Sequence, residues 1–232
     1  NSKIYIEPTK RFGDRRNNYS KQMIPTVTIE EARELVLNPT FDFKIVRVKS
    51  KLDLELYRDL VKWTEDNYEL MWKDGTDTYQ AICMQYNDEN NKYYDGVQHN
   101  GSANPGLWGA TLDGLQDRSK KNEIAEKFKP WFDYLEEAFP KFHVFRTRIL
   151  KTHPGHRAPP HIDEPACRIH LPIHTHPHNI MFFGSNPYFL KNDGSIYICN
   201  TGTNEHSFAN FSDVPRTHIV SVIRKSKPHE LV

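Results

Sequence analysis

The chain has 232 residues, enough to bury a real core in one large domain or two small ones. Its 31 lysines and arginines against 30 aspartates and glutamates leave a net charge of +1, so nothing pulls it globally toward nucleic acid or a membrane surface. Hydrophobic residues at 37% and aromatics at 12% describe a compact globular protein in which large rings supply much of the apolar area, and no apolar run approaches the roughly 20 residues needed to span a bilayer.

The first elements are mixed α/β. Lys10-Arg11 and Arg15-Arg16 form a local basic patch that reads as solvated surface. Thr28-Ile29-Glu30-Glu31 has the form of a capping box, which predicts a short helix to about Leu37, stopped by Asn38-Pro39. Phe43 to Lys49 alternates apolar and charged residues and predicts a half-buried strand. Ser50 is placed to cap a second helix with Leu56, Leu60 and Trp63 on its buried stripe. Thr78 to Tyr86 predicts another strand. Residues 87–117, rich in Asn, Gly, Asp and aromatics, have no period, and a loop of that length is usually functional. An amphipathic helix is expected over Asn122–Phe139, with Ile124, Phe128, Phe132 and Leu135 on one face and Pro130 kinking it or marking a late start. From Phe142 the texture changes to short alternating segments: Phe145–Thr152, Arg168–Thr175, Ile180–Phe183, Ser195–Cys199 and Thr217–Ile223. That spacing predicts an antiparallel sandwich or barrel. Residues 1–232 are expected to form a single domain, with 1–141 a mixed α/β part carrying flanking helices and the substrate loop and 142–232 the β core with the metal and co-substrate motifs.

The chemistry concentrates in the second half. His161-Ile162-Asp163 places two ligand-type side chains on one face of an extended segment, since strand side chains alternate with period two. A distant third histidine, His206 in the turn Gly202–His206, completes a 2-His-1-carboxylate set that holds one face of an iron(II) octahedron and leaves positions open. Arg168-Ile169-His170 sets an arginine and a histidine on one face of the next strand, costly in a barrel unless they meet an anion. Arg216 lies ten residues past His206, heading a strongly β-forming run.

Taken in order, His161-Ile-Asp163, Arg168-Ile-His170-Leu-Pro172, His206-Ser-Phe-Ala-Asn210 and Arg216 resemble the aspartyl/asparaginyl β-hydroxylase-like branch of the iron(II)/2-oxoglutarate oxygenases. The resemblance covers roughly residues 145–224. It implies a double-stranded β-helix, or jelly roll, mainly β with flanking helices. It implies Fe(II), 2-oxoglutarate and O2 as cofactor and co-substrates, with succinate and CO2 as co-products. In this reading Arg216 pairs with the distal carboxylate of 2-oxoglutarate, and Arg168 and His170 support the co-substrate's carboxylates. The expected reaction is hydroxylation of an unactivated C–H bond in a peptide side chain of Asp, Asn or Pro type, or in a small amino-acid-like metabolite. The alternative is a non-oxidative cupin-like metal enzyme or a ligand-binding module. One departure stands out: the animal hydroxylases that name the branch carry a small residue where Asp163 stands, so the metal chemistry here resembles the ordinary triad.

Other residues have two readings. Trp108 is a loop anchor or a substrate contact, and His218, sharing Arg216's parity, lines the pocket or is a hydrogen-bonded core histidine. His174, His176 and His178 read as loop or barrel-wall residues in preference to a zinc site. Asn210 is expected to hold the turn near His206. The sequon at Asn100-Gly101-Ser102 is moot for a cytoplasmic protein. Cys83, Cys167 and Cys199, odd in number and dissimilar in context, predict free thiols, a reducing compartment and a cytoplasmic protein, with no secretory pattern at the start of the stretch. The expected partners are a small-molecule or peptide substrate, with no nucleic acid and no membrane.

Overall fold

The computed structural model describes residues 21–38, 42–73, 76–95, 97, 118–163 and 165–225. Strand β1 (Thr26–Val27) leads into α1 (Ile29–Leu37), whose capping box closes as predicted: the Glu31 N–H donates to Thr28 Oγ1 and the Thr28 N–H to the Glu31 carboxylate. Strand β2 (Ile45–Lys51) runs through Ser50, and the helix after it begins four residues later. Helix α2 (Leu54–Asn67) is capped by Asp53, whose carboxylate accepts from the N–H groups of Glu55 and Leu56. The buried stripe of α2 is Tyr57, Val61 and Thr64, while Leu60 and Trp63 are half-buried and Leu56 is exposed. The helix is thus turned by one residue, about 100°, from the predicted face, which seats the larger Tyr57 ring against Trp131 at 6.1 Å.

Short strands β3 (Met71–Trp72), β4 (Tyr79–Cys83), β5 (Gln85–Tyr86) and β6 (Lys120–Lys121) follow; the strand predicted over Thr78–Tyr86 is broken at Met84. Within the predicted long loop, Glu89–Asn91 forms a 3-10 turn, and Tyr93 packs on Tyr68 at 5.2 Å. The helix expected over Asn122–Phe139 is two helices, α3 (Glu123–Lys127) and α4 (Lys129–Ala138), parted at Phe128, with Pro130 in the first turn of α4 where its missing N–H costs nothing. Ile124, Phe128, Phe132 and Leu135 are all buried, as the periodicity predicts.

Eight further strands complete the chain: β7 (His143–Thr152), β8 (Arg157–His161), β9 (Cys167–His174), β10 (Asn179–Phe183), β11 (Asn186–Tyr188), β12 (Ser195–Cys199), β13 (His206–Asn210) and β14 (Arg216–Arg224). They divide between two sheets. One has the order β1-β2-β12-β9-β14-β7-β4-β3, the other β11-β10-β13-β8. From β7 onward the chain crosses repeatedly between the sheets, winding a double-stranded β-helix of the predicted jelly-roll type. The first half supplies more than helices, because β1–β2 and β4–β3 extend the large sheet at both edges. Strand β8 carries Pro159 and Pro160, which survive because β8 is an edge strand.

Parity sorts the large sheet's two faces. Ile169, Leu171, Ile173, Ile196, Ile198, Ile219 and Ile223 join one apolar cluster with Val36, Tyr57, Val61, Trp131 and Leu135 under the helices. Trp131 also donates from Nε1 to Ser221 Oγ at 3.1 Å, tying α4 to β14. The opposite face looks into the barrel and carries Arg148, Arg168, His170, Arg216 and His218. In β7, Arg146 has φ 54 and the register with β14 shifts between Val220 and Val222, the mark of a β-bulge. The bulge lets both Phe145 and Arg148 face inward, while Thr147 and Ile149 face the helices. One glycine is required by close approach: a Cβ on Gly194 (φ +78) would stand 2.4 Å from the Leu52 carbonyl oxygen.

Candidate metal centre

His206 opens β13 directly across from His161 at the end of β8, and their ring centroids lie 4.3 Å apart. Asp163 sits two residues past β8. Its N–H donates to the Thr201 carbonyl at 3.0 Å, and Asn204 staples the same turn by donating to the carbonyls of Asn200 and Phe43. The alternation predicted for His161 and Asp163 holds in effect, with Ile162 turned to solvent. Among the described residues, His161, Asp163 and His206 are the one group whose ligand atoms converge, all within 4.8 Å of one another.

The protonation pattern suits a cation. His161 Nδ1 lies 2.8 Å from the Pro159 carbonyl oxygen, and His206 Nδ1 lies 3.3 Å from that of Asn204. A carbonyl only accepts, so each Nδ1 carries the proton and each Nε2 keeps its lone pair. Those two atoms stand 3.6 Å and 3.3 Å from Asp163 Oδ1 and Oδ2. Cis ligands about 2.1 Å from an octahedral metal are about 3.0 Å apart, so a small closure fits an ion. Burial, opposed by Asp163 and reinforced by His161, pushes His206 down to about 4, which keeps it a neutral ligand. Asp163 Oδ2 is buried without a hydrogen-bond partner. The donor set therefore fits a divalent transition metal with open coordination positions.

Deeper in the barrel, Arg216 is 6% exposed and faces no carboxylate among the described residues. Its guanidinium donates to His218 Nδ1 at 2.8 Å and lies 4.0 Å over the Phe208 ring. Burial lowers it to about 9, a sign of how poorly a cation is held there without an anion. His170 Nδ1 lies 3.4 Å from the same His218 nitrogen. Since that nitrogen accepts from Arg216, His170 donates to it as well. His218 Nε2 is then a buried donor and His170 Nε2 a buried acceptor, both unmet. Burial first, and Arg216 next, push both rings well below the usual histidine range.

No protein-family model matches the chain, and no curated protein is similar to it in sequence. Solved structures are similar. A 2OG-Fe(II) oxygenase family oxidoreductase from Burkholderia pseudomallei superposes with TM-score 0.55 at 8% identity, over 88% of this chain and 96% of that one. A Pseudomonas putida prolyl-4-hydroxylase gives 0.50 at 14% identity, over 84% and 100%. The non-heme alpha ketoglutarate dependent epimerase SnoN from nogalamycin biosynthesis gives 0.51 at 14%, over 84% and 83%. The fold is that of the iron- and 2-oxoglutarate-dependent oxygenases.

Within this oxygenase fold the remaining residues fall out unevenly. Arg168, implied as a co-substrate contact, pairs with Asp163 Oδ1 at 2.5 Å. His218 lies fully buried beneath Arg216, not at a surface. Asn210, expected to hold the turn near His206, instead holds the turn after β13, donating to the carbonyls of Thr152 and Val214 and accepting from Asn179 and Ser212. His176 Nδ1 accepts from the His178 N–H, and the His174, His176 and His178 run forms no ligand triad. Trp108 and most of 87–117 lie outside the described residues, as does the basic patch. Cys83, Cys167 and Cys199 are buried free thiols. Among the described residues no helix is long and apolar enough to cross a membrane. One inward residue was not anticipated: Arg148, 6% exposed on β7.

Proposed function

We propose that this chain is an iron(II)/2-oxoglutarate-dependent dioxygenase that hydroxylates an unactivated C–H bond of a small amino-acid-like metabolite or a peptide side chain. The observation that carries the reading is the pairing, inside one barrel, of a converged His161–Asp163–His206 set with a buried Arg216 that faces no carboxylate among the described residues. A bound iron(II) would supply oxidative decarboxylation of the oxoacid to succinate and CO2, coupled to insertion of one oxygen atom into the C–H bond. His161 and His206 would hold it through Nε2 and Asp163 through Oδ2, while Arg168 holds Oδ1 and so fixes which oxygen is presented. Arg216 would grip the oxoacid's distal carboxylate with a planar fork, kept in place by His218 and the Phe208 ring. Met181, Phe183, Tyr188, Tyr197 and Cys199 form an apolar cluster flanking His206 that limits water at the site. The branch resemblance makes Asp, Asn or Pro side chains the first substrates to try.

The test is anaerobic addition of iron(II) and then 2-oxoglutarate. A weak visible charge-transfer band from the chelated oxoacid is expected, lost on Asp163→Ala. Tight oxoacid binding with no band in the iron-loaded protein would favour the binding-module alternative.

A further inference from the structure

The inner face of the large sheet holds a third arginine that neither the metal set nor the oxoacid anchor uses. Arg148 stands across β14 from His170, in the row Arg148–Val220–His170, and is 94% withdrawn from solvent on the 6% exposure it keeps. Its Nε has no hydrogen-bond partner, and no carboxylate among the described residues faces it. Asp163 is held by Arg168 and Asp95 by Arg118 at 2.8 Å. Burial, and then Arg146 and Arg168 nearby, push Arg148 down to about 10, while the Tyr79 phenol acts in the opposite sense. A guanidinium this buried and this poorly compensated calls for an anion.

That anion is not the oxoacid's distal carboxylate. Thr152 lies opposite Arg216, and Arg148 is four residues back along β7, about 13 Å at the rise of a strand. Arg148 is level with His170, one row from Arg168, the arginine paired with Asp163, whereas Arg216 is three rows from it, so Arg148 stands nearer the metal set than the oxoacid anchor does. In the oxygenase reading, on which this inference rests, both oxoacid carboxylates are already engaged, one by iron and one by Arg216.

We infer that Arg148 forms a substrate subsite, and that the compound oxidised carries a carboxylate seated on its guanidinium, with the reacting carbon turned toward the metal.

The probe is acetate, with neutral acetamide as its isostere, presented to the full chain loaded with zinc(II) and 2-oxoglutarate. Binding is read by saturation-transfer NMR. Acetate is expected to bind saturably and acetamide about 10-fold or more weakly, the worth of one charge-assisted contact. Arg148→Gln should lose acetate binding to a similar extent while its oxoacid titration changes little. Arg148→Lys, which keeps the charge and guards against misfolding of the Gln variant, should bind acetate more weakly than wild type for want of the bidentate fork. Acetate bound equally by wild type and either variant, or not bound at all, overturns the subsite. An oxoacid affinity that falls in Arg148→Gln as far as in Arg216→Met overturns it too, and gives Arg148 to the co-substrate. Failure of the iron–oxoacid band is a different result: it removes the oxygenase reading itself, and the substrate assignment with it.

Discussion

Replacing Arg216 by Met should make the ligand-free protein more stable and the co-substrate much weaker. Lowering this guanidinium from its ordinary value to about 9 corresponds to about 5 kcal/mol against keeping it charged in the empty barrel. The substitution forfeits one hydrogen bond to His218, about 1 kcal/mol. It also loses the stacking on Phe208, about 0.5–2 kcal/mol. The net gain should be about 2–3.5 kcal/mol, in line with other buried charges replaced by apolar groups of similar volume. At about 2–4 °C per kcal/mol for a chain of this size, Tm should rise by roughly 4–14 °C. Oxoacid affinity should fall by about 2–5 kcal/mol, the range for truncating one side of a buried charge pair. Thermal denaturation of the manganese(II)-loaded protein with and without 2-oxoglutarate reads both effects, since the oxoacid raises the wild-type Tm and should raise the variant's far less. A variant less stable than wild type that still binds the oxoacid normally would refute the anchor and the electrostatic argument together.

His161→Ala, Asp163→Ala or His206→Ala should abolish or severely weaken iron binding with the circular dichroism of the fold intact; metal loss in His176→Ala instead would show the ligands misassigned. Arg168→Gln should weaken metal binding by about 10- to 100-fold, as second-sphere changes do, with a smaller effect on the oxoacid; the reverse ranking in paired titrations would return Arg168 to the co-substrate. Oxoacid binding should take up protons near neutral pH, because His170 Nε2 can donate to a carboxylate only after protonation, and calorimetry in buffers of different ionisation enthalpy should show it. Acid should destabilise the ligand-free protein: His170 and His218 are held neutral in the fold, so below about pH 6.5 the unfolded chain binds protons the folded one refuses. Each ring then removes up to about 1.4 kcal/mol per pH unit as pH falls toward its folded value, and a flat stability profile between pH 7 and 5 would contradict their burial as neutral rings.

The metal set was legible because its information is local. His161 and Asp163 share a face by strand parity, and His206 follows a turn that the sequence marks with glycine and asparagine. Arg216 was legible through its spacing from His206. Arg168's partner was not, since pairing with Asp163 depends on the Thr201 carbonyl fixing the chain after β8. Arg148 was hidden by the bulge at Arg146, which breaks the alternation so that parity cannot tell which of the two arginines points inward. Strand β13 carries too many polar residues to look like one, and β8 too many prolines. The helix face of α2 was misjudged because the stripe was read from the apolar spacing of Leu56, Leu60 and Trp63, whereas packing of the Tyr57 ring against Trp131 sets the rotation.

The inner face of the large sheet reads as a sequence of rows, and their order carries the mechanism. Arg168 is level with Val222, Arg148 and His170 with Val220, His218 with Leu150, and Arg216 with Thr152. Among the described residues, Arg148, Arg168 and Arg216 meet one carboxylate, Asp163, so this part of the empty barrel is electrostatically poor. An incoming divalent cation deepens that imbalance and strengthens the pull on anions. On the proposed function, a dianionic oxoacid would then relieve it at the metal and at Arg216, and a substrate carboxylate would relieve the remainder at Arg148. Charge alone therefore favours the metal before the oxoacid, whereas the bound oxoacid weakens the pull on the substrate carboxylate, whose seat at Arg148 must rest on direct contact. Reciprocity requires the oxoacid to tighten the metal by the same factor that the metal tightens the oxoacid. A manganese(II) affinity unchanged by saturating 2-oxoglutarate would break that chain at its first link.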